Sequence, residues 1–153
     1  MTIVVIGEGK VAALFHGMAR RADHPEAAWE EIGEMLSDAV ENQFRTDGAW
    51  FGTPWAPLTP AYLARKLSRG FPRDILIATG EMKRTFTGRP MDVEIYRGKT
   101  ATYGSNNQKA KWHHGGTKRN GRQVNPARPI LKATPREARA AARIMLRHIM
   151  KGV

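Results

Sequence analysis

Bulky apolar residues recur at helical spacing through the first third of the chain. Val11, Leu14, Phe15 and Met18 repeat every three or four residues before Arg20-Arg21, which predicts a helix with one apolar face. Trp29, Ile32, Leu36, Val40 and Phe44 continue the pattern. Asp23-His24-Pro25-Glu26 stands just ahead of them, a capping-box-like start with proline in the first turn, so a second helix is predicted over 25–44. Before both, Ile3 to Ile6 are β-branched throughout and suit a short strand.

From Thr46 to Pro60 the pattern breaks into Gly, Pro and Trp. This predicts a long loop whose Trp50, Phe51 and Trp55 pack it down. Thr59-Pro60 supplies an N-cap and a first helical residue for 60–67, and Ser68 to Pro72 end that helix. Ile75-Leu76-Ile77 leads into Thr79-Gly80-Glu81-Met82, where Gly80 serves the turn opening a short helix towards Phe86. Met91 to Tyr96 and Thr100 to Tyr103 alternate about Arg97-Gly98-Lys99, a hairpin signal. Residues 105–133 are rich in Gly, Asn, Lys and Arg and read as an extended basic arm, since so long a loop inside a domain is usually functional. Thr134-Pro135-Arg136-Glu137 opens a last helix to about Met150.

These elements predict an α+β fold in one domain over 1–153. Its small, mainly antiparallel sheet, containing residues 91–104, is packed against the helices 25–44 and 135–150. With Leu, Ile, Val and Phe at only 29 of 153 positions and Ala at 20, the core is thin. Apolar burial contributes only about 25 cal/mol per Å², so association with other chains is an expected source of stability.

Charge changes the picture further. The net charge is +11, but residues 1–96 hold 11 Lys/Arg against 13 Asp/Glu, while residues 97–153 hold 14 against a single acid, Glu137. The basic third favours an acidic partner, DNA or protein. The absence of cysteine excludes disulfides and thiolate metal sites. No apolar run approaches a membrane-spanning length and no signal-peptide pattern opens the chain, so a soluble, unprocessed protein is expected.

Candidate chemistry is weak. Ile3 to Leu14, "IVVIGEGKVAAL", resembles a dinucleotide fingerprint, but two consecutive helices follow where a second parallel strand with a ribose-binding acid is required. His113-His114 are adjacent and point in different directions, unlike ligand pairs at i and i+4; a structural role at the turn before Gly115-Gly116 is expected. No nucleophile elbow occurs. The expectation is no enzyme, no cofactor and no metal. By contrast Arg139, Arg143, Arg147 and Lys151 step by four along the last helix, forming one positive stripe able to face DNA. Ala138, Ala141, Ala142, Met145 and Ile149 form the neighbouring apolar face.

Four segments carry a family likeness. Trp55-Ala56-Pro57-Leu58-Thr59-Pro60 with Lys66, Ile75-Leu76 with Thr79-Gly80-Glu81-Met82, Ala110 to Gly116, and Pro126-Ala127-Arg128-Pro129-Ile130-Leu131 occur in this order. Together they resemble the phage virion morphogenesis family, the tail-completion or neck proteins of tailed bacteriophages. Met82 stands where that family has leucine, and His114 where glutamine is common. The resemblance implies a structural virion protein at the head-tail junction, present in the host cytoplasm during assembly. It would form a homo-oligomeric ring, a hexamer by family expectation, that leaves a channel for packaged DNA. Its implied partners are copies of itself, a head-side connector or head-completion protein, and a tail terminator or tail tube protein, with no membrane. Alternatives are a tail terminator capping the tube and a free basic nucleic-acid-binding module. On this reading His113, His114, Lys118, Arg119, Arg122, Arg128 and Pro129 face a subunit or partner; for Arg128, held in a stiff proline-flanked segment, the alternative is a purely structural lead-in to the last helix. Trp55, Leu58, Gly80 and Gly116 are structural motif residues.

Overall fold

The computed structural model describes residues 8–152; the strand expected at Ile3 to Ile6 lies outside them. Helix α1 spans Glu8–Asp23 and helix α2 spans Glu26–Arg45. Only His24 and Pro25 separate the two. Asp23 therefore closes α1 and does not cap α2; its carboxylate pairs with Lys99 at 3.0 Å.

Helix α2 is the spine of the fold. Its apolar stripe serves two clusters because 20 residues make a rod of about 30 Å at 1.5 Å per residue. Near its start, Ala28 and Ile32 meet Ile144, with Trp29, Met35, Tyr103 and Ala141 around them. Near its end, Val40 and Phe44 meet Trp55, Met82, Phe86, Ala110 and Ile130. Phe44 and Trp55 meet edge to face, centroids 5.2 Å apart, a favourable aromatic geometry. The loop after α2 packs down as expected, with a turn of 3-10 helix at Ala49–Phe51 and both Phe51 and Trp55 buried.

Helix α3 spans Pro60–Ser68, capped by the Thr59 hydroxyl, which accepts from the Tyr62 amide at 3.3 Å. Helix α4 spans Glu81–Thr87 behind Gly80. Strands β1 (Val93–Arg97) and β2 (Thr100–Gly104) pair antiparallel from Val93↔Gly104 to Arg97↔Thr100. This hairpin lies on α2 because Gly33 has no side chain: a Cβ there would stand 2.7 Å from the Glu94 Oε1 and 3.0 Å from the Tyr103 ring. The Tyr103 hydroxyl donates to the Trp29 carbonyl at 2.6 Å and fastens the contact.

The expected arm at 105–133 is corrected in detail. It contains helix α5 (Gln108–Gly115) and a second hairpin of β3 (Thr117–Arg119) and β4 (Arg122–Asn125). Asn107 caps α5 by accepting from the Lys109 amide at 3.0 Å. Asn120 and Gly121 both take positive φ, +50° and +73°, the requirement of a tight hairpin turn that Asn-Gly satisfies. Composition alone concealed these local signals. Residues 118–125 keep the character of an arm, for every one of them is exposed. Among the described residues the fold is thus six helices and two separate two-stranded sheets.

Helix α6 spans Pro135–Ile149. Its inward face is rotated from the one expected: Glu137 and Ile144 are buried, Ala141, Met145 and Ile149 half-buried, and Ala138 and Ala142 exposed. Ile144 faces Ala28 and Ile32 of α2 and sets that rotation. Thr134 caps the helix, its hydroxyl accepting from the Arg136 amide at 3.3 Å and donating to the Glu137 carboxylate.

Candidate assembly interface

The four motif segments converge on one another. Arg128 sits in the stiff Ala127-Arg128-Pro129 stretch, where proline confines the backbone. Its guanidinium donates to the Ala56 carbonyl from Nε at 3.0 Å and Nη2 at 2.8 Å, and more weakly to the Pro57 carbonyl at 3.5 Å. The next carbonyl, that of Pro129, accepts from the Trp55 indole at 2.9 Å and from the Gln43 amide at 2.8 Å. Gln43 is fully buried and its Oε1 also takes the Phe51 amide at 3.0 Å. From α5, the His113 carbonyl accepts the Arg128 amide at 2.7 Å, and His114 Nδ1 accepts the Ile130 amide at 3.3 Å. Both histidines lie in the last turn of α5, directly before Gly115 and Gly116.

Gly116 completes the knot. Its φ of +71° and ψ of 174° fall in a region essentially restricted to glycine. A Cβ there would stand 2.8 Å from the Ala127 nitrogen and the Asn125 oxygen. Lys66 closes the other side, its ammonium donating to the Asp74 carbonyl.

Beside the knot opens a cleft of about 570 Å³, with Leu58, Tyr62, Leu76, Met82, His113 and Val124 among its walls. Burial and then the neighbouring Arg128 charge hold the His113 imidazole below its ordinary pKa. Its Nδ1 is buried with no partner among the described residues. Burial likewise draws Lys66 and Arg128 downward, partly opposed by Asp74 and Asp47 for the lysine and by Tyr62 for the arginine. No group of His, Asp or Glu among the described residues is arranged to hold a metal.

The outer surface is of another kind. Lys118, Arg119 and Arg122 are exposed on the β3–β4 hairpin, remote in sequence from any acid. On α6, Arg139 and Arg143 point outward with Leu146. Arg147 instead pairs with Glu31 of α2, and Lys151 follows the helix end. Val11 and Phe15 of α1 and Leu146 of α6 are 52 %, 62 % and 60 % exposed, although the first two belong to an apolar stripe. No described helix is long and apolar enough to cross a membrane.

Sequence reasoning missed Gln43 and the buried role of Glu137. Gln43 could have been found as a polar residue one step beside Phe44 on the apolar stripe. Burial pushes the Glu137 carboxyl up, but hydrogen bonds from Thr134, Arg136 and its own backbone, with the Arg136 charge, bring it below the usual carboxylate range.

The model of the phage virion morphogenesis family matches residues 8–150 of this chain. No curated protein and no solved structure gives a match.

Proposed function

This chain belongs to the phage virion morphogenesis family, and we propose that it is a structural component of the head-tail junction, working as a homo-oligomeric ring. In this reading the ring is a hexamer that joins a head-side connector or head-completion protein to the tail terminator or tail tube and leaves a channel for the genome. It turns over no substrate and needs no cofactor.

The observation that carries this reading is the unfinished surface. One chain leaves Val11, Phe15 and Leu146 largely exposed and carries an acid-free basic hairpin. Val11 and Phe15 lie on α1, which packs against the α6 that carries Leu146, and contiguous exposed apolar surface rimmed by polar groups marks a contact site. A head-to-tail contact between unlike faces closes a ring when its rotation permits. The motif knot supplies the rigid body that carries these faces. Arg128 and Pro129 support the reading from inside the subunit, while Lys118, Arg119 and Arg122 are the side chains free to meet a partner.

Electron microscopy of the purified protein, and of particles assembled without it, tests the role. Rings with a central channel, together with unjoined heads and tails, are expected. A monomer at all concentrations with normal particles overturns the junction role, and tails of uncontrolled length assign the chain to tail termination.

A second face favours DNA in the channel. Arg139 and Arg143 project from α6 without an ion pair among the described residues. If they contact phosphate, DNA retention by the ring falls steeply with salt because counterions are released. Salt-independent retention removes that role.

A further inference from the structure

The basic hairpin has an obvious counterpart on the same chain. Between α2 and β1 lies a groove of about 430 Å³, with Glu30, Glu34 and Glu94 along it and Tyr96, Arg89 and Pro90 at its sides. Gly33 lies between Glu30 and Glu34 along α2 and also lines the groove. Three carboxylates face the groove. The single cation among its walls, Arg89, is already tied to Asp38. Glu30 and Glu34 make no ion pair among the described residues.

The Glu94 carboxylate is fixed in position rather than free to swing. Its Oε2 accepts the Met91 amide at 2.9 Å and its Oε1 accepts the Tyr96 hydroxyl. Burial, the Glu94 hydrogen bond and the nearby acids, Glu30 among them, keep the Tyr96 phenol protonated well above its ordinary range. Tyr96 therefore remains a donor to Glu94.

We propose that the Arg119-Asn120-Gly121-Arg122 tip of one copy seats in the Glu30, Glu34 and Glu94 groove of the next copy. The proposal rests on the ring reading and names its contact. Within one chain the tip is exposed and the two acids of α2 make no ion pair among the described residues, so tip and groove do not satisfy each other in the same subunit. An isolated two-stranded hairpin is marginal in water, and a receiving surface removes that weakness. The planar guanidinium fork suits carboxylates better than a point charge does, and the tip presents two of them on either side of an Asn-Gly turn. Because tip and groove are different surfaces, the contact is head to tail, the type from which rings close.

Charge exchange on the full-length protein tests the seating. Arg119→Glu with Arg122→Glu, and separately Glu30→Arg with Glu34→Arg, each weaken self-association at low salt on the order of tenfold or more in sedimentation velocity. The four-fold variant carrying both exchanges recovers association to within a few-fold of the parent, because the pairing is restored with its sign reversed. The absence of cysteine permits a second readout. Under a mild thiol oxidant, a chain carrying both Arg122→Cys and Glu34→Cys forms a ladder of disulfide-linked oligomers, whereas each single variant, with no thiol opposite its own across the contact, gives no ladder. A parent that associates yet is indifferent to both exchanges, or a ladder that never forms, overturns the seating and leaves the ring standing. A parent that stays monomeric under all conditions overturns the ring and the seating together.

Discussion

Replacing Arg128 by methionine separates an internal clamp from a partner contact. The residue is 6 % exposed, and its guanidinium holds the Ala56 carbonyl through two hydrogen bonds with a weaker one to Pro57. Hydrogen bonds from a charged donor are worth about 1.5–3 kcal/mol. Methionine preserves much of the aliphatic volume and removes a charge that burial disfavours, which recovers part of the loss. Water from the adjoining cleft can reach the abandoned carbonyl and recovers a little more. The net cost is about 2–3 kcal/mol, a substantial part of the ~5–15 kcal/mol that holds a domain together. For a chain of this length the melting temperature falls by roughly 2–4 °C per kcal/mol, hence by about 4–12 °C. Lysine, which keeps the charge and loses the fork, should fall between methionine and the parent. The assay is thermal unfolding followed by circular dichroism over a range of dilutions, since association raises apparent stability by mass action. An unchanged midpoint for the dilute monomer, with assembly lost, would refute the clamp and return Arg128 to the subunit boundary.

Other outcomes follow from the same geometry. Gly116→Ala forces a side chain into a glycine-only backbone region with a Cβ 2.8 Å from two backbone atoms and should cost about 2–4 kcal/mol in denaturant unfolding; an unaltered midpoint contradicts the observed turn. His113 has a folded pKa below its ordinary value, so the unfolded chain binds the proton first. Stability is therefore complete above about pH 6.5 and declines as pH falls from there through the lowered folded value. His113→Phe should flatten that decline, and an identical pH profile counts against the assignment. Glu137 shows linkage of the same sign in a lower window: its folded pKa is lowered, so its contribution is present above about pH 4.3 and lost as pH falls through the folded value. Glu137→Gln should remove that step and cost about 1–3 kcal/mol at neutral pH, read from unfolding curves at several pH values.

Much of the secondary structure was legible because its signals are local. The stripe from Trp29 to Phe44, the Thr59-Pro60 and Thr134-Pro135 starts and the hairpin about Gly98 all appear close to where periodicity and capping put them. Asp23 misled because an acid ahead of proline looks like a cap whether or not the preceding helix has ended. The segment 105–133 misled because the glycine and lysine content outweighed Asn107 and Asn120-Gly121, which are short signals inside a polar stretch. The motif residues were visible as words, but their grammar was not. Nothing in the spacing of Trp55, Gln43 and Arg128 says that two of them share the Pro129 carbonyl and the third binds beside Trp55.

Sequence alone thus determined which stretches become helix or hairpin, where the cations gather and which family the motifs resemble, since propensity, capping and charge act over a few residues. Tertiary structure decided which face of α6 turns inward, that Arg128 is enclosed while Arg119 and Arg122 stand free, and that three acids from α2 and β1 share one groove. Those outcomes depend on segments tens of residues apart competing for the same buried space along α2. Hydrogen-bonding needs in that space are met by whichever partner the packing brings near, and no local pattern records which one it will be.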